Sequence, residues 1–205
     1  MAPTRPAYSR LQTDERRRQL LDAGARVFTD RLYDDASMAE VAREAGISKG
    51  LLYHYFPSKR DLFVATLEAA AAELRDITEP DPAKPIPEQL NAILDTYLAW
   101  IEDHADSYAK LLESATGSDD VRSYMAQMRA GTVDRILDTL VKAGDPTAIR
   151  TAVHGFLWFI DGACLDWLAS KDLTREQLRD MLVTTFAGAI GAALQAGPAV
   201  ELAFP

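Results

Sequence analysis

GISKGLLYHYFPSKRDLF, residues 46–63, sets four ring-bearing side chains, Tyr53, His54, Tyr55 and Phe56, side by side after a Gly, a Ser and a Lys-Gly pair. One face of a helix buries only about half of such a run, so the rings must divide between core and surface. With Leu52 at the centre of the buried face and about 100° per residue, Phe56, Tyr55 and Ser48 fall close to it. Gly50 and His54 fall near the opposite side, Tyr53 and Leu51 on its flanks, and Lys49 at the N-terminal edge. Phe56 and the body of Tyr55 are therefore core, while Tyr53 and His54 point outward. A glycine in the middle of that outward face removes a side chain and lets another surface approach the backbone. Such a face is built to be docked on, and a DNA groove is a surface of the right kind.

The flanking chain supports a short helix at 49–56. Ser37 stands three residues before Glu40, the capping-box spacing, and predicts a helix over about 37–45. Gly46 follows, suited to the left-handed conformation that ends a helix. Ser48 caps the next helix, and Pro57-Ser58 with Asp61 starts another that runs to about Ile77. Upstream, Thr13 or Asp14 caps a first helix to about Arg31, with Leu20, Leu21, Val27 and Phe28 on one face and Gly24 among them. Two short helices joined by a tight glycine turn form a helix-turn-helix, whose second helix enters the major groove. The capped start at Ser37 would then meet a phosphate, as would Lys59. Base edges would be read by Lys49, the Gly50 backbone and Tyr53, with His54 and the Tyr55 hydroxyl better placed for sugar-phosphate. Ser37 as a plain cap, Lys59 as a solvated charge and Tyr55 as core are the competing roles.

The stretch SMAEVAREAGISKGLLYHYFPSKRDLF, residues 37–63, resembles the DNA-binding segment of the TetR family of transcriptional regulators, whose strongest signature is G-[IV]-S-x-x-x-[LI]-Y-x-[YH]-F-x-x-K. The resemblance is close over about 13–63. It implies base contacts at Lys49, Gly50 and Tyr53 and phosphate contacts at Ser37, His54, Tyr55 and Lys59. Leu51 departs from the small or hydroxylated residue frequent at its position, so apolar contact with a thymine methyl replaces a polar one. Ala36 stands where Thr is common, leaving the phosphate contact to Ser37.

The charge distribution agrees. The chain of 205 residues has a net charge of −9, but residues 1–60 carry 11 Lys/Arg against 8 Asp/Glu and residues 61–205 carry 11 against 23. A basic end on an acidic body orients an encounter with phosphate. The 48% apolar content is ample for a core, and Cys164, the single cysteine, excludes an intrachain disulfide and a multi-thiolate metal site. Residues 1–12 read as a disordered arm without the apolar stretch of a signal peptide. Residues 181–200 lack charge, but two Thr, a Gln, three Gly and a clear apolar stripe argue against a membrane span. The protein is expected to be cytoplasmic.

Beyond the proline-rich EPDPAKPIPE, residues 79–88, helical spacing predicts helices at about 87–104, 106–115, 118–143, 146–170 and 173–195. The fold class is all-α, with about nine helices. Residues 13–57 form a three-helix helix-turn-helix domain, and 58–205 a helical ligand-binding and dimerisation domain. One head reads few bases, so a homodimer on a palindromic duplex is expected. Apolar stripes through Leu178, Leu182, Phe186, Ile190 and Leu194, and through Val153, Phe156, Ile160, Cys164 and Trp167, offer helices 146–170 and 173–195 as the interface, as in the family.

The resemblance also implies an effector cavity in the body, for which Tyr97, Trp100, Tyr108, Leu111, Met125, Met128 and Trp158 supply aromatic and adaptable apolar groups. Ordinary core is the competing role of each. His54, His104 and His154 lie in different helices without the spacing of a known catalytic or metal motif, so neither an enzyme, a metal nor a cofactor is expected. The expected function is a ligand-responsive repressor released from its operator by a small, largely apolar effector. A helical carrier or ligand-binding protein with a degenerate head is the alternative.

Overall fold

The structure, a computed structural model, describes the backbone of residues 7–203 and the side chains of residues 14–203. Among the described residues it has nine helices: α1 (Ala7–Asp30), α2 (Met38–Glu44), α3 (Lys49–Tyr55), α4 (Lys59–Ile77), α5 (Ile86–Asp103), α6 (Ala105–Gly117), α7 (Asp119–Leu140), α8 (Thr147–Ser170) and α9 (Arg175–Ala196). Two short strands, β1 (Val141–Gly144) and β2 (Val200–Leu202), complete it. The all-α class with a helix-turn-helix at the N-terminal end is what the sequence predicts. No described helix is long and apolar enough to cross a membrane.

Local chemistry sets the helix ends. The Ser37 hydroxyl accepts from the Glu40 N–H at 3.3 Å while the Glu40 carboxylate accepts from the Ser37 N–H at 3.0 Å. This satisfies two amides that a helix start leaves open. At the other end of α2, Gly46 takes φ +64°, and the Ile47 and Gly46 N–H groups reach back to the carbonyls of Ala42 and Arg43. That crossed pair closes the helix and turns the chain into α3. Ser48 accepts from Leu51 N–H at 3.2 Å, and Thr174 with Gln177 forms a second capping box at α9.

Two boundaries differ from expectation. The first helix begins at Ala7, so half of the arm expected over 1–12 is helical, while residues 1–6 lie outside the described residues. Pro6 is the last helix breaker in that stretch, and nothing between Ala7 and Thr13 interrupts the helix. The helix expected to reach 143 ends at Leu140, and β1 pairs antiparallel with β2. Gly144 makes this possible: at φ +100° a Cβ would stand 2.5 Å from the Ala199 carbonyl oxygen, so only glycine fits.

The chain forms two compact units, one of residues up to Glu73 with Asp106–Arg122, the other of Leu74–Ala105 with the residues from Ser123 on. In the first, Leu20, Ala23, Val27 and Phe28 of α1 face Val41, Leu52, Leu62 and Phe63, all buried. The Phe63 ring meets Phe28 edge-on at 4.9 Å and Tyr33 at 4.7 Å. Gly24 lets α4 close in, since a Cβ there would lie 3.2 Å from Thr66 Oγ1. Helix α6 joins this unit through polar contacts. Thr29 and Ser107 share a hydroxyl hydrogen bond of 2.6 Å, and the Tyr33 N–H donates to the buried Ser114 hydroxyl at 3.1 Å.

In the second unit α8 and α9 pack along one another, with α5 against α9. The stripes that periodicity offered as a dimer interface are largely buried inside the chain: Val153, Phe156, Ile160, Cys164 and Trp167 on α8, and Leu178, Leu182 and Ile190 on α9. Periodicity shows that a face is covered and not what covers it. The residues left outside lie mostly beside these stripes, Gly155, Trp158, Phe159 and Gly162 on α8 and Gly188 and Ala192 on α9, and Leu194 of the α9 stripe is exposed with them.

Candidate nucleic-acid interface

Helix α3 is held by two side chains. Leu52 is fully buried and Phe56 nearly so, which fixes the rotation of a helix of seven residues about its own axis. Fully burying an apolar side chain of this size contributes about 1.5–3 kcal/mol, so α3 is anchored far more strongly than its length alone would allow. The opposite face is bare. Leu51 is 40% and Tyr53 41% exposed, with Lys49, Gly50 and His54 exposed beside them. A Cβ built on Gly50 would meet nothing within 4 Å, so the backbone lies open to an approaching surface.

The Lys49 ammonium lies 5.7 Å from the centroid of the Tyr53 ring, a loose cation–π contact that leaves its N–H groups free to donate. His54 stands edge-on to Tyr55 at 5.7 Å, and Tyr55 is half-buried at the end of the helix. The exposed face thus offers, in order, an ammonium, an uncovered backbone, an apolar branch, a phenol and an imidazole. That set can donate to purine acceptors, touch a thymine methyl and reach phosphate.

Ser37 is exposed at the start of α2, but its hydroxyl already donates to Glu40 at 2.8 Å. The Ser37 hydrogen bond, aided by Arg31 and Arg43, holds the Glu40 carboxyl below its ordinary range. Arg31 also pairs with Glu40 at 3.1 Å, offsetting a negative charge that would otherwise oppose a phosphate there. Lys59 sits in a different setting from the solvated or phosphate-facing one expected. Its ammonium donates to the carbonyls of Tyr33 at 2.8 Å, Ala36 at 3.2 Å and Asp34 at 3.3 Å, and it lies 4.4 Å above the Tyr33 ring. An ammonium has three N–H donors, and all three serve the loop that carries Ser37.

Tyr33 was not singled out by sequence. Its hydroxyl lies 3.4 Å from Asp120, itself paired with Arg60. Burial first, then the Asp120 carboxylate, pushes this phenol up to about 12. The only advance signal is an aromatic residue in the short loop between two helices.

The residues expected around an effector fall in both units. Tyr108 and Leu111 belong to the first unit and Tyr97, Trp100, Met125, Met128 and Trp158 to the second. Trp100 stacks on His104 at 4.1 Å, and Met125 is buried. Trp158 is 57% exposed, with the Arg129 guanidinium over its ring at 3.9 Å and Arg129 paired with Asp161. A concavity of about 180 Å³ at the junction of α8 and α9, lined by Asp166, Trp167, Leu173 and Met181 among others, contains none of the seven.

Comparison with known proteins agrees with this geometry. The family model described as bacterial regulatory proteins of the tetR family matches residues 20–66, and that of a tetracyclin repressor-like C-terminal domain matches 86–189, about half the chain. The HTH-type transcriptional activator FasR of Mycolicibacterium smegmatis is 35% identical over 114 residues, 52% of this chain and 49% of that protein. The HTH-type transcriptional regulator BetI of Cronobacter sakazakii is 44% identical over 61 residues, 30% of each. The chain therefore spans half or less of the length of these curated relatives. A crystal structure of a tetR-family transcriptional regulator from Streptomyces coelicolor shares the fold with a TM-score of 0.72 at 27% identity, over 89% of this chain and 83% of that one. These relatives are regulators and not enzymes. With both the head and the body matched, the chain belongs to the TetR family of transcriptional regulators.

Proposed function

We propose that the protein is a ligand-responsive, homodimeric repressor that binds a palindromic double-stranded operator through α3 and leaves it when a small, largely apolar effector binds the helical body. The observation that carries this reading is the division of α3 into a buried Leu52–Phe56 side and an exposed side of Lys49, Gly50, Leu51, Tyr53 and His54. Lys49, the Gly50 backbone, Leu51 and Tyr53 read base edges. His54, Tyr55 and Ser37 meet the sugar-phosphate backbone. Lys59 acts through the loop it holds, setting where Ser37 stands.

Two heads are needed for adequate affinity, and half-sites in simple dimers of this motif lie about 34–36 Å apart. The exposed Trp158 and Phe159 on α8, with Gly155, Gly162 and Gly188 permitting close approach, make an apolar surface that a second copy would cover. The effector is taken up by Tyr97 and Trp100 of α5 and Met125 and Met128 of α7, all of the second unit, with Trp158 assigned instead to the dimer face. Helix α4 contributes residues to both units, so a ligand that prefers the released geometry would act on head spacing along it. A regulator of this kind works in the cytoplasm.

Selection of DNA fragments by the purified protein, followed by footprinting, tests the reading. Protection of a two-fold repeated sequence, lost on adding the effector, is expected; binding of every duplex alike would overturn it. A reporter gene behind the selected sequence tests the sign, which is of interest because FasR is described as an activator.

A further inference from the structure

The core-facing stripe of α1 passes through Leu20, Gly24 and Val27–Phe28, all buried. One turn upstream the same stripe reaches Arg17, which is exposed, beyond the edge of the core. Its guanidinium carbon lies 5.3 Å from the centroid of the Phe56 ring. Phe56 ends α3 directly after His54 and Tyr55. Arg17 is thus held beside the end of the proposed reading helix by a residue that is itself core.

Its neighbours are engaged elsewhere. Arg16 donates to Gln19 at 2.9 Å, and Arg18 pairs with Glu15 at 2.9 Å. Arg17 makes no ion pair among the described residues. A guanidinium resting on a ring keeps its N–H edge available, and its planar fork matches two phosphate oxygens. We propose that Arg17 is a phosphate-binding residue of the DNA interface, a contact made from α1 at the C-terminal end of α3. This rests on the DNA-binding reading above.

Arg17 also lies where it complements the negative end of the α3 dipole, so stability alone does not identify its role. Salt dependence does, because each phosphate contact releases counterions. The wild-type protein, Arg17→Ala, Arg17→Gln and Arg18→Ala are titrated at a series of salt concentrations against two duplexes. One has random sequence, and the other is the sequence the protein selects from genomic fragments. Arg17→Ala and Arg17→Gln are expected to weaken both duplexes by a similar factor, about five- to tenfold, and to reduce the slope of log K against log salt by about 0.9 per head. The glutamine variant keeps most of the stem over Phe56, so it gives the answer even where alanine loosens the fold. Arg18→Ala is expected to change the slope by less than half as much. If Arg17→Gln keeps the wild-type slope while the wild type still selects a sequence, the inference falls and the DNA-binding reading stands. If the wild type binds neither duplex, both fall.

Discussion

Lys59→Met keeps most of the side-chain stem and removes the ammonium that three carbonyls share. A hydrogen bond to a charged group contributes about 1.5–3 kcal/mol, but the three are not equal. The bond to Tyr33 is short at 2.8 Å, whereas those to Ala36 and Asp34 are long at 3.2 and 3.3 Å. Tyr33 and Ala36 are buried residues, whose carbonyls water replaces poorly; Asp34 is exposed and regains water. One strong bond, part of a second, and about 0.5–1 kcal/mol from the Tyr33 ring give a loss of about 2.5–5 kcal/mol. For a chain of this size that lowers the unfolding midpoint by roughly 5–20 °C. Thermal unfolding by circular dichroism reads the loss, and titration of DNA at several salt concentrations reads the charge. The expected result is an early transition with the wild-type salt slope for whatever remains folded. A variant that melts with the wild type and loses about 0.9 from the slope per head would refute this and return Lys59 to the phosphate.

Tyr53→Ala and Lys49→Ala remove exposed groups, so each should leave thermal unfolding nearly unchanged and weaken binding to the selected duplex by about 1–3 kcal/mol, read by fluorescence anisotropy. The Tyr33 phenol is raised from 10.0 to about 12, so the folded state holds its proton more tightly than the unfolded one. Its contribution is intact below pH 10 and lost as pH rises toward 12; a Tyr33→Phe variant should lack that alkaline loss in urea unfolding, and an identical profile would contradict the Asp120 and burial argument. Gly155→Glu and Gly188→Glu each add a carboxylate where a Cβ meets nothing within 4 Å, so the chain should fold. Sedimentation should then show a monomer where the wild type shows a dimer.

What sequence revealed and what it hid follow from the range of the interactions. The division of Tyr53 and His54 from Leu52 and Phe56 follows from helical phase, a local property, and the structure shows the same division. The caps at Ser37 and Ser48 depend on partners three residues away and were equally legible. Lys59 was not, because its partners are backbone carbonyls, which any residue carries. The pairing of Val141–Gly144 with Val200–Leu202 joins segments too short to show a period. On α8 the stripe through Val153, Phe156, Ile160, Cys164 and Trp167 was legible and is buried, but the surroundings of Trp158 were not, because an aromatic residue beside the stripe suits a pocket wall and an open face equally; the structure exposes it. The hydroxyl contacts of Ser107 and Ser114 join segments far apart in the chain and leave no local mark.

The central claim is that the open face of α3 reads bases. Repeated rounds of selection from a random-sequence duplex pool, run in parallel with wild type and Tyr53→Ala, address it most directly. The account predicts that the wild type enriches a sequence with two related half-sites and that the variant enriches it weakly or not at all. Enrichment of the same sequence to the same extent by both proteins would contradict it.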